Sequence, residues 1–205
     1  MNYTRKIQSK ISHGSVLEIG CGNGYLLKTL SDGGFDCYGI EPSPLAYNHA
    51  KNVLKLNVDN CFLHESKFYD QQFDVIVMID VVEHISEMNL FMQQITKVLK
   101  PGGFIFIGTG DINSLNARIG GANWGYFYTW EHVSFFNRAS IKLLLEKFKF
   151  TEIEVRKTSL KHKPVENLIE FGKNIVKKVV NPFLKKKYYH GICFDHLIVM
   201  AKYNG

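Results

Sequence analysis

Glycine at every second position, Gly20, Gly22 and Gly24, ends the apolar run Val16-Leu17-Glu18-Ile19 and leads into helix-forming residues from Tyr25. A buried strand that empties into glycines and then a helix belongs to an open α/β sheet. With no Cβ in the way, its backbone can come within contact distance of a ligand. The spacing matters. Dinucleotide sites use G-x-G-x-x-G, which sets a diphosphate on the helix N-terminus. Here a carboxylate, Glu18, precedes the first glycine. It would repel a diphosphate and suits a ligand that carries an ammonium group.

A second short apolar strand ends in a carboxylate at Tyr38-Gly39-Ile40-Glu41, 17 positions after Gly24. An acidic residue at the end of the second strand, roughly 20 residues past the glycine loop, hydrogen-bonds ribose hydroxyls. Pro42 and Pro44 stop that strand. Ammonium and ribose together indicate S-adenosylmethionine. Strand-like runs occur at 15–19, 36–40, 59–64, 73–79, 103–109, 150–158 and 192–202, and helical patterns at 23–32, 43–53, 87–99 and 138–148. This alternation predicts a doubly wound parallel sheet with helices on both faces. Ligands of such sheets lie beyond the carboxyl ends of the strands, here after Ile19, Ile40, Leu63, Ile79 and Thr109.

On these residues the chain resembles the class I S-adenosylmethionine-dependent methyltransferases. The resemblance runs from about Ser15 to Phe150. Its carriers are Glu18-x-Gly20-x-Gly22-x-Gly24, Glu41, Phe73-Asp74-Val75-Ile76 and Leu99-Lys100-Pro101-Gly102-Gly103. It implies a Rossmann-like sheet of seven strands in the order 3-2-1-4-5-7-6, with the last strand antiparallel. It also implies a cofactor set of Glu18, Gly20, Cys21, Gly22, Gly24, Glu41, Pro42, Glu65 and Asp80. The family often has an acidic residue facing the adenine amine after the third strand. This chain has His64-Glu65-Ser66 there in place of the usual Gly-Asp.

Two constellations could carry the chemistry. Asp80-Val81-Val82-Glu83-His84 follows the fourth strand, where relatives that methylate small molecules have a similar D-x-x-E-H. Asp80 would border the methionine half of the cofactor. His84 is either a base or a residue that bonds a neighbouring loop. The second constellation is Trp124 to Asn137, in a long connection after the fifth strand; loops of more than about 15 residues are usually functional. A similar segment occurs in bacterial methyltransferases of cell-surface sugar and small-metabolite pathways: Asn113-Ser114-Leu115, Trp124, Glu131-His132 and Phe136-Asn137. A methyl leaving a sulfonium needs no acid, but an acceptor hydroxyl must lose its proton, which an imidazole can take. His132, His84 and Glu131 are therefore the catalytic candidates. No metal is expected, since the cysteines lack ligand spacing and the ligands around His84 are few.

The chain of 205 residues, 45% hydrophobic and 21% charged, fits a single domain over 1–205. It has no run of about 18 apolar residues, no secretory leader in Met1 to His13, and four cysteines without a paired framework, which predicts a cytoplasmic protein. The net charge of +6 is concentrated between Arg156 and Lys187, with ten Lys/Arg against two Asp/Glu. A basic amphipathic helical insertion is expected at about 161–190. It would pack on the domain or a dimer partner, or lie on a membrane surface through 165–187. The near-neutral remainder argues against nucleic acid, as does the lack of an N/D-P-P-Y/F motif after the fourth strand. The expected function is methyl transfer to a small polar acceptor, at an oxygen of a sugar or cell-surface glycan precursor. The alternatives are an RNA or protein methyltransferase docking through the Lys-rich segment, and a non-catalytic cofactor-binding regulatory module.

Overall fold

Alternate side chains of every central strand go to opposite faces of one sheet, and each face is covered by its own helices. The computed structural model describes residues 3–158 and 195–205. The strands are β1 (Ser15–Ile19), β2 (Asp36–Ile40), β3 (Asn57–Asp59), β4 (Phe73–Ile79), β5 (Leu99–Gly110), β6 (Phe150–Thr158) and β7 (His196–Tyr203). Their spatial order is β3-β2-β1-β4-β5-β7-β6. All neighbouring pairs from β3 to β5 are parallel, and β7 runs antiparallel to both β5 and β6. The expected fold and strand order are thus found.

The helices are α1 (Tyr3–Gln8), α2 (Tyr25–Asp32), α3 (Pro44–Asn48), α4 (Met88–Val98), α5 (Leu115–Gly120) and α6 (Arg138–Lys147). On one face Ile7 of α1, Leu27 and Leu30 of α2 and Ala50 pack with Val16, Val75, Val77, Phe106, Ile198 and Met200. On the other, Phe91, Met92, Ile95 and Val98 of α4 and Ile141 and Leu145 of α6 pack with Leu17, Ile76, Met78, Ile105, Ile107 and Val199. Period-2 strands against period-3.6 helices produce this division directly. Among the described residues no helix is long and apolar enough to cross a membrane.

Three local expectations need correction. The third strand lies at Asn57–Asp59, not 59–64; Leu63–Glu65 is a single 3₁₀ turn. Val58 fills the core, whereas Phe62 is exposed and Asp59 Oδ2 folds the chain back by accepting from Ser66 Oγ and Lys67 N. The apolar run Cys61-Phe62-Leu63 therefore marks a turn rather than a strand. β5 begins earlier than expected, because Leu99 already pairs with Phe73 before the Pro101-Gly102 kink, where the ladder shifts register. The segment 43–53 is helical but passes from α3 into a π-helical turn at His49–Val53. The N-terminal helix α1 had no sequence expectation, and the basic segment expected at about 161–190 lies outside the described residues.

Candidate functional site

The turn after β1 places three glycines, Gly20, Gly22 and Gly24, at φ values of 69°, 52° and 83°. Non-glycine residues adopt this region only at a cost of about 1–2 kcal/mol. Gly20 N and Cys21 N both donate to Ile40 O, at 2.8 and 3.0 Å, which locks the turn to the end of β2. Glu41, directly beyond Ile40, is 8% exposed, and its two carboxylate oxygens accept from Gly22 N and Ser43 N at 2.8 Å each. It therefore braces both turns.

The glycines differ in what surrounds them. A Cβ on Gly20 would lie 2.6 Å from Val81 Cγ2, and one on Gly24 would lie 2.6 Å from Leu56. A Cβ on Gly22 would meet nothing within 4 Å. Only Gly22 therefore opens onto free space at the strand ends. Cys21 is buried, and burial followed by the charges of Glu18 and Glu41 pushes its thiol far up, so it is not a nucleophile.

Glu18 is 4% exposed, and its Oε2 has no hydrogen-bond partner. Burial pushes its carboxyl up to about 8, with the Leu27 N–H opposing and Glu41 adding to the shift. A buried carboxylate with an open acceptor is a receptor for a cation. The ammonium and ribose of S-adenosylmethionine fit these residues: Glu18 and Glu41 supply acceptors, and Gly22 leaves room for close approach.

The fourth strand delivers the rest of the site. Asp80 sits at φ 54°, with its N–H bonded to Gly108 O at 2.9 Å. Burial and then the Glu83 charge push its carboxyl up to about 6, opposed by His196 and His84, and the side chain keeps 44% of its accessibility. Glu83 is fully buried. Its carboxylate accepts from Thr109 Oγ1 at 3.0 Å and from the Tyr126 hydroxyl, and its carbonyl accepts from Val133 N and Ser134 N. Ser134 Oγ donates to Ile85 O at 2.9 Å. The Asp80–His84 and Trp124–Asn137 constellations, far apart in sequence, thus form one unit.

Tyr126 is the keystone of that unit. Its hydroxyl also accepts from Gly110 N at 2.8 Å, and its ring covers Gly110 so closely that a Cβ there would lie 2.5 Å away. Trp124 stacks on it at 4.9 Å. Burial, then Glu83, holds the Tyr126 phenol strongly in its protonated form.

His84 Nδ1 lies 3.2 Å from Glu131 O, and His132 Nδ1 lies 2.8 Å from Tyr126 O. A carbonyl only accepts, so each Nδ1 carries a hydrogen, and in the neutral ring Nε2 is then the acceptor. The two rings meet edge to face at 4.7 Å. Glu83, His84 and His132 present ligand atoms within 4.8 Å of one another, an arrangement that could hold a metal ion. Glu131 enters this cluster through its carbonyl, while its side chain is exposed.

Two cofactor candidates sit at the periphery. Pro42 is exposed, and its carbonyl accepts from Asn60 Nδ2 at 3.0 Å. Glu65 is exposed and accepts from Phe62 N within its own turn. The acidic residue that ends β3 is Asp59, which the misplaced strand boundary had hidden. Tyr126 was legible only as part of an aromatic run. His196 was missed because β7, being antiparallel, reaches the site with its first residue rather than its last.

Comparison with known proteins supports the same reading. Residues 3–155 match the family described as Methyltransferase domain. The chain is 33% identical over 99 residues to a ubiquinone biosynthesis O-methyltransferase from Rhizobium etli, covering 46% of this chain and 40% of that protein. It thus spans well under two thirds of that relative's length. The solved structure of the YcgJ protein from Bacillus subtilis superposes with a TM-score of 0.70 at 13% identity, covering 100% of both chains. The Haemonchus contortus phosphoethanolamine N-methyltransferase 2 in complex with S-adenosyl-L-methionine gives a TM-score of 0.67 at 19% identity, covering 100% of this chain and 53% of that one. With the glycine turn, two buried carboxylates and the strand order already in place, the chain belongs to the class I S-adenosylmethionine-dependent methyltransferases.

Proposed function

We propose that the chain methylates an oxygen of a small polar acceptor and that His132 accepts the proton from its hydroxyl. The observation that carries this reading is the tautomer of His132. Tyr126 O fixes a hydrogen on Nδ1, so in the neutral imidazole Nε2 is the proton acceptor, and the ring stands in a cluster with Glu83 and His84. Methyl transfer to oxygen also agrees with the names of the O-methyltransferases that the chain resembles. The sugar or glycan-precursor acceptor rests on the segment around Asn113, Trp124 and His132 alone. The free thiols of Cys21, Cys37 and Cys61 suit a reducing cytoplasm.

The bound cofactor supplies an electrophilic methyl on a sulfonium. The protein's task is to align the acceptor oxygen behind it and take the proton. Glu18, Gly22 and Glu41 would hold the cofactor, and Asp80 would serve its methionine half. The Glu83–Tyr126–Thr109 network keeps the His132 loop at a fixed distance from β4 and β5.

The test is transfer of labelled methyl groups to fractions of a cell extract. Label in base-stable methyl ethers of small molecules is expected. Label confined to RNA or protein would sink the reading and favour docking through the Lys-rich segment.

A further inference from the structure

β7 reaches the carboxyl end of β5 by its first residue. His196 stands opposite Gly110 of β5 and continues the stripe of Ile198 and Met200, where an apolar side chain would complete the pattern. An imidazole stands there instead, with 12% of its side chain accessible. Its Nδ1 lies 2.8 Å from Asp195 Oδ1. A carboxylate only accepts, so Nδ1 carries a hydrogen, and Nε2 lies 3.7 Å from Asp80 Oδ1. The Tyr126 ring stands edge-on to His196 at 5.9 Å. Asp80 holds the left-handed φ of 54° without being glycine, a conformation that persists only where its surroundings enforce it.

We propose that His196, braced by Asp195, is a positioning residue that holds the Asp80 carboxylate at the cationic methionine end of the cofactor. Burial opposes charge on this imidazole. The hydrogen bond and charge of Asp195, together with Asp80 and Glu83, outweigh that and raise its pKa. Tyr3 and His84 also interact with Asp80, so His196 is one of several groups around that carboxylate, and its charge acts on Asp80 more strongly than that of His84. The inference rests on the assignment of Asp80 to the cofactor and is independent of the acceptor's identity.

Calorimetric titration of S-adenosylmethionine and S-adenosylhomocysteine tests it on Asp80→Asn, His196→Ala, His196→Gln and the Asp80→Asn/His196→Ala pair. Asp80→Asn and His196→Ala should each weaken S-adenosylmethionine about tenfold, as expected for one charge-assisted contact. The double variant should be no weaker than Asp80→Asn alone, because both act through one carboxylate. His196→Gln should recover most of the affinity, since its amide N–H can replace Nε2–H. An equal loss for the homocysteine product supports contact with the ammonium, and a loss confined to S-adenosylmethionine supports contact with the sulfonium.

Additive losses in the double variant would overturn the proposal. So would a lowered melting temperature with unchanged affinity, or an Asp80→Asn variant that binds normally. If His196→Ala does not fold, Asp195→Asn decides: weakened cofactor binding supports the brace, and unchanged binding overturns it. A wrong acceptor assignment would leave all these titrations untouched.

Discussion

Gly22 N donates to Glu41 Oε2 at 2.8 Å, so the turn proposed to approach the cofactor is held by the carboxylate expected to bind the ribose. Removing Glu41 therefore does two things at once. It deletes an acceptor for the ribose, and it releases the Gly22 and Ser43 amides. Glu41→Ala should weaken S-adenosylmethionine and S-adenosylhomocysteine equally, by about 1–3 kcal/mol, since both share the ribose. Glu41→Gln keeps one acceptor oxygen and should fall between. Calorimetry on both ligands checks this, and a loss for only one of them contradicts the ribose assignment.

The two glycines of the turn make different tests. At Gly22 a side chain would enter open space, where the proposed cofactor site lies. Gly22→Val should abolish binding at only the moderate strain cost of a left-handed residue, about 1–2 kcal/mol of stability. At Gly20 a side chain would strike Val81, so Gly20→Val should chiefly lower the melting temperature. Thermal melts beside titrations separate the two. A Gly22→Val protein that binds normally would remove the turn from the site.

The candidate cofactor residues were named from local pattern alone. A strand, a glycine turn and a carboxylate lie next to each other in sequence, and parallel pairing of β1 with β2 brings Glu18 and Glu41 to the same edge. The acceptor half depends on long-range closure. Nothing local says that Tyr126 reaches 43 positions back to Glu83, or that Gly110 is small because a phenol ring lies on it. The rule that sites follow strand ends also assumes parallel strands, which hid His196 on β7. The boundary of β3 failed for another reason: the longer apolar run, Cys61 to Leu63, turned out to be the turn.

Removing the hydroxyl of Tyr126 would leave Glu83 Oε1 and Gly110 N without that partner inside the fold. Tyr126→Phe should cost about 1–3 kcal/mol of stability, the penalty for orphaned buried groups. Turnover should fall as the His132 loop loosens. Gly110→Ala should cost more, because its Cβ would lie 2.5 Å from the Tyr126 ring. Denaturant unfolding of both variants gives the ranking. The reverse order would mean that the ring moves aside easily.

If Glu18 receives the ammonium of the cofactor, as proposed, it links cofactor binding to pH. Its carboxyl is raised to about 8 in the folded protein from the ordinary glutamate value of 4.5. The folded state therefore holds this proton more tightly than the unfolded chain. The resulting stability is fully present below about 4.5 and is lost as pH rises through about 8. The cofactor's ammonium favours the ionised form, so binding near neutral pH should release a proton and tighten as pH rises. Glu18→Gln should flatten both trends, melting higher than the parent at pH 8 without cofactor and binding cofactor more weakly. Melts and proton-release calorimetry in buffers of different ionisation enthalpy check this. A binding enthalpy independent of buffer would contradict the linkage.

The catalytic assignment is tested by comparing the two imidazoles that share a tautomer but not an environment. His132 is half-buried behind Tyr126, on the loop strapped to Glu83, whereas His84 is exposed at the rim. A base must be held at the acceptor oxygen, and the more confined ring meets that need better. His132→Ala should lower turnover roughly 10²–10⁴-fold while cofactor affinity stays nearly intact. His84→Ala should cost less. Single-turnover rates, measured with cofactor titrations once an acceptor is in hand, make the comparison. A deeper loss from His84→Ala would exchange the two roles. Loss of cofactor binding in His132→Ala would instead assign His132 to holding the loop, through the Tyr126 carbonyl that its Nδ1 now engages.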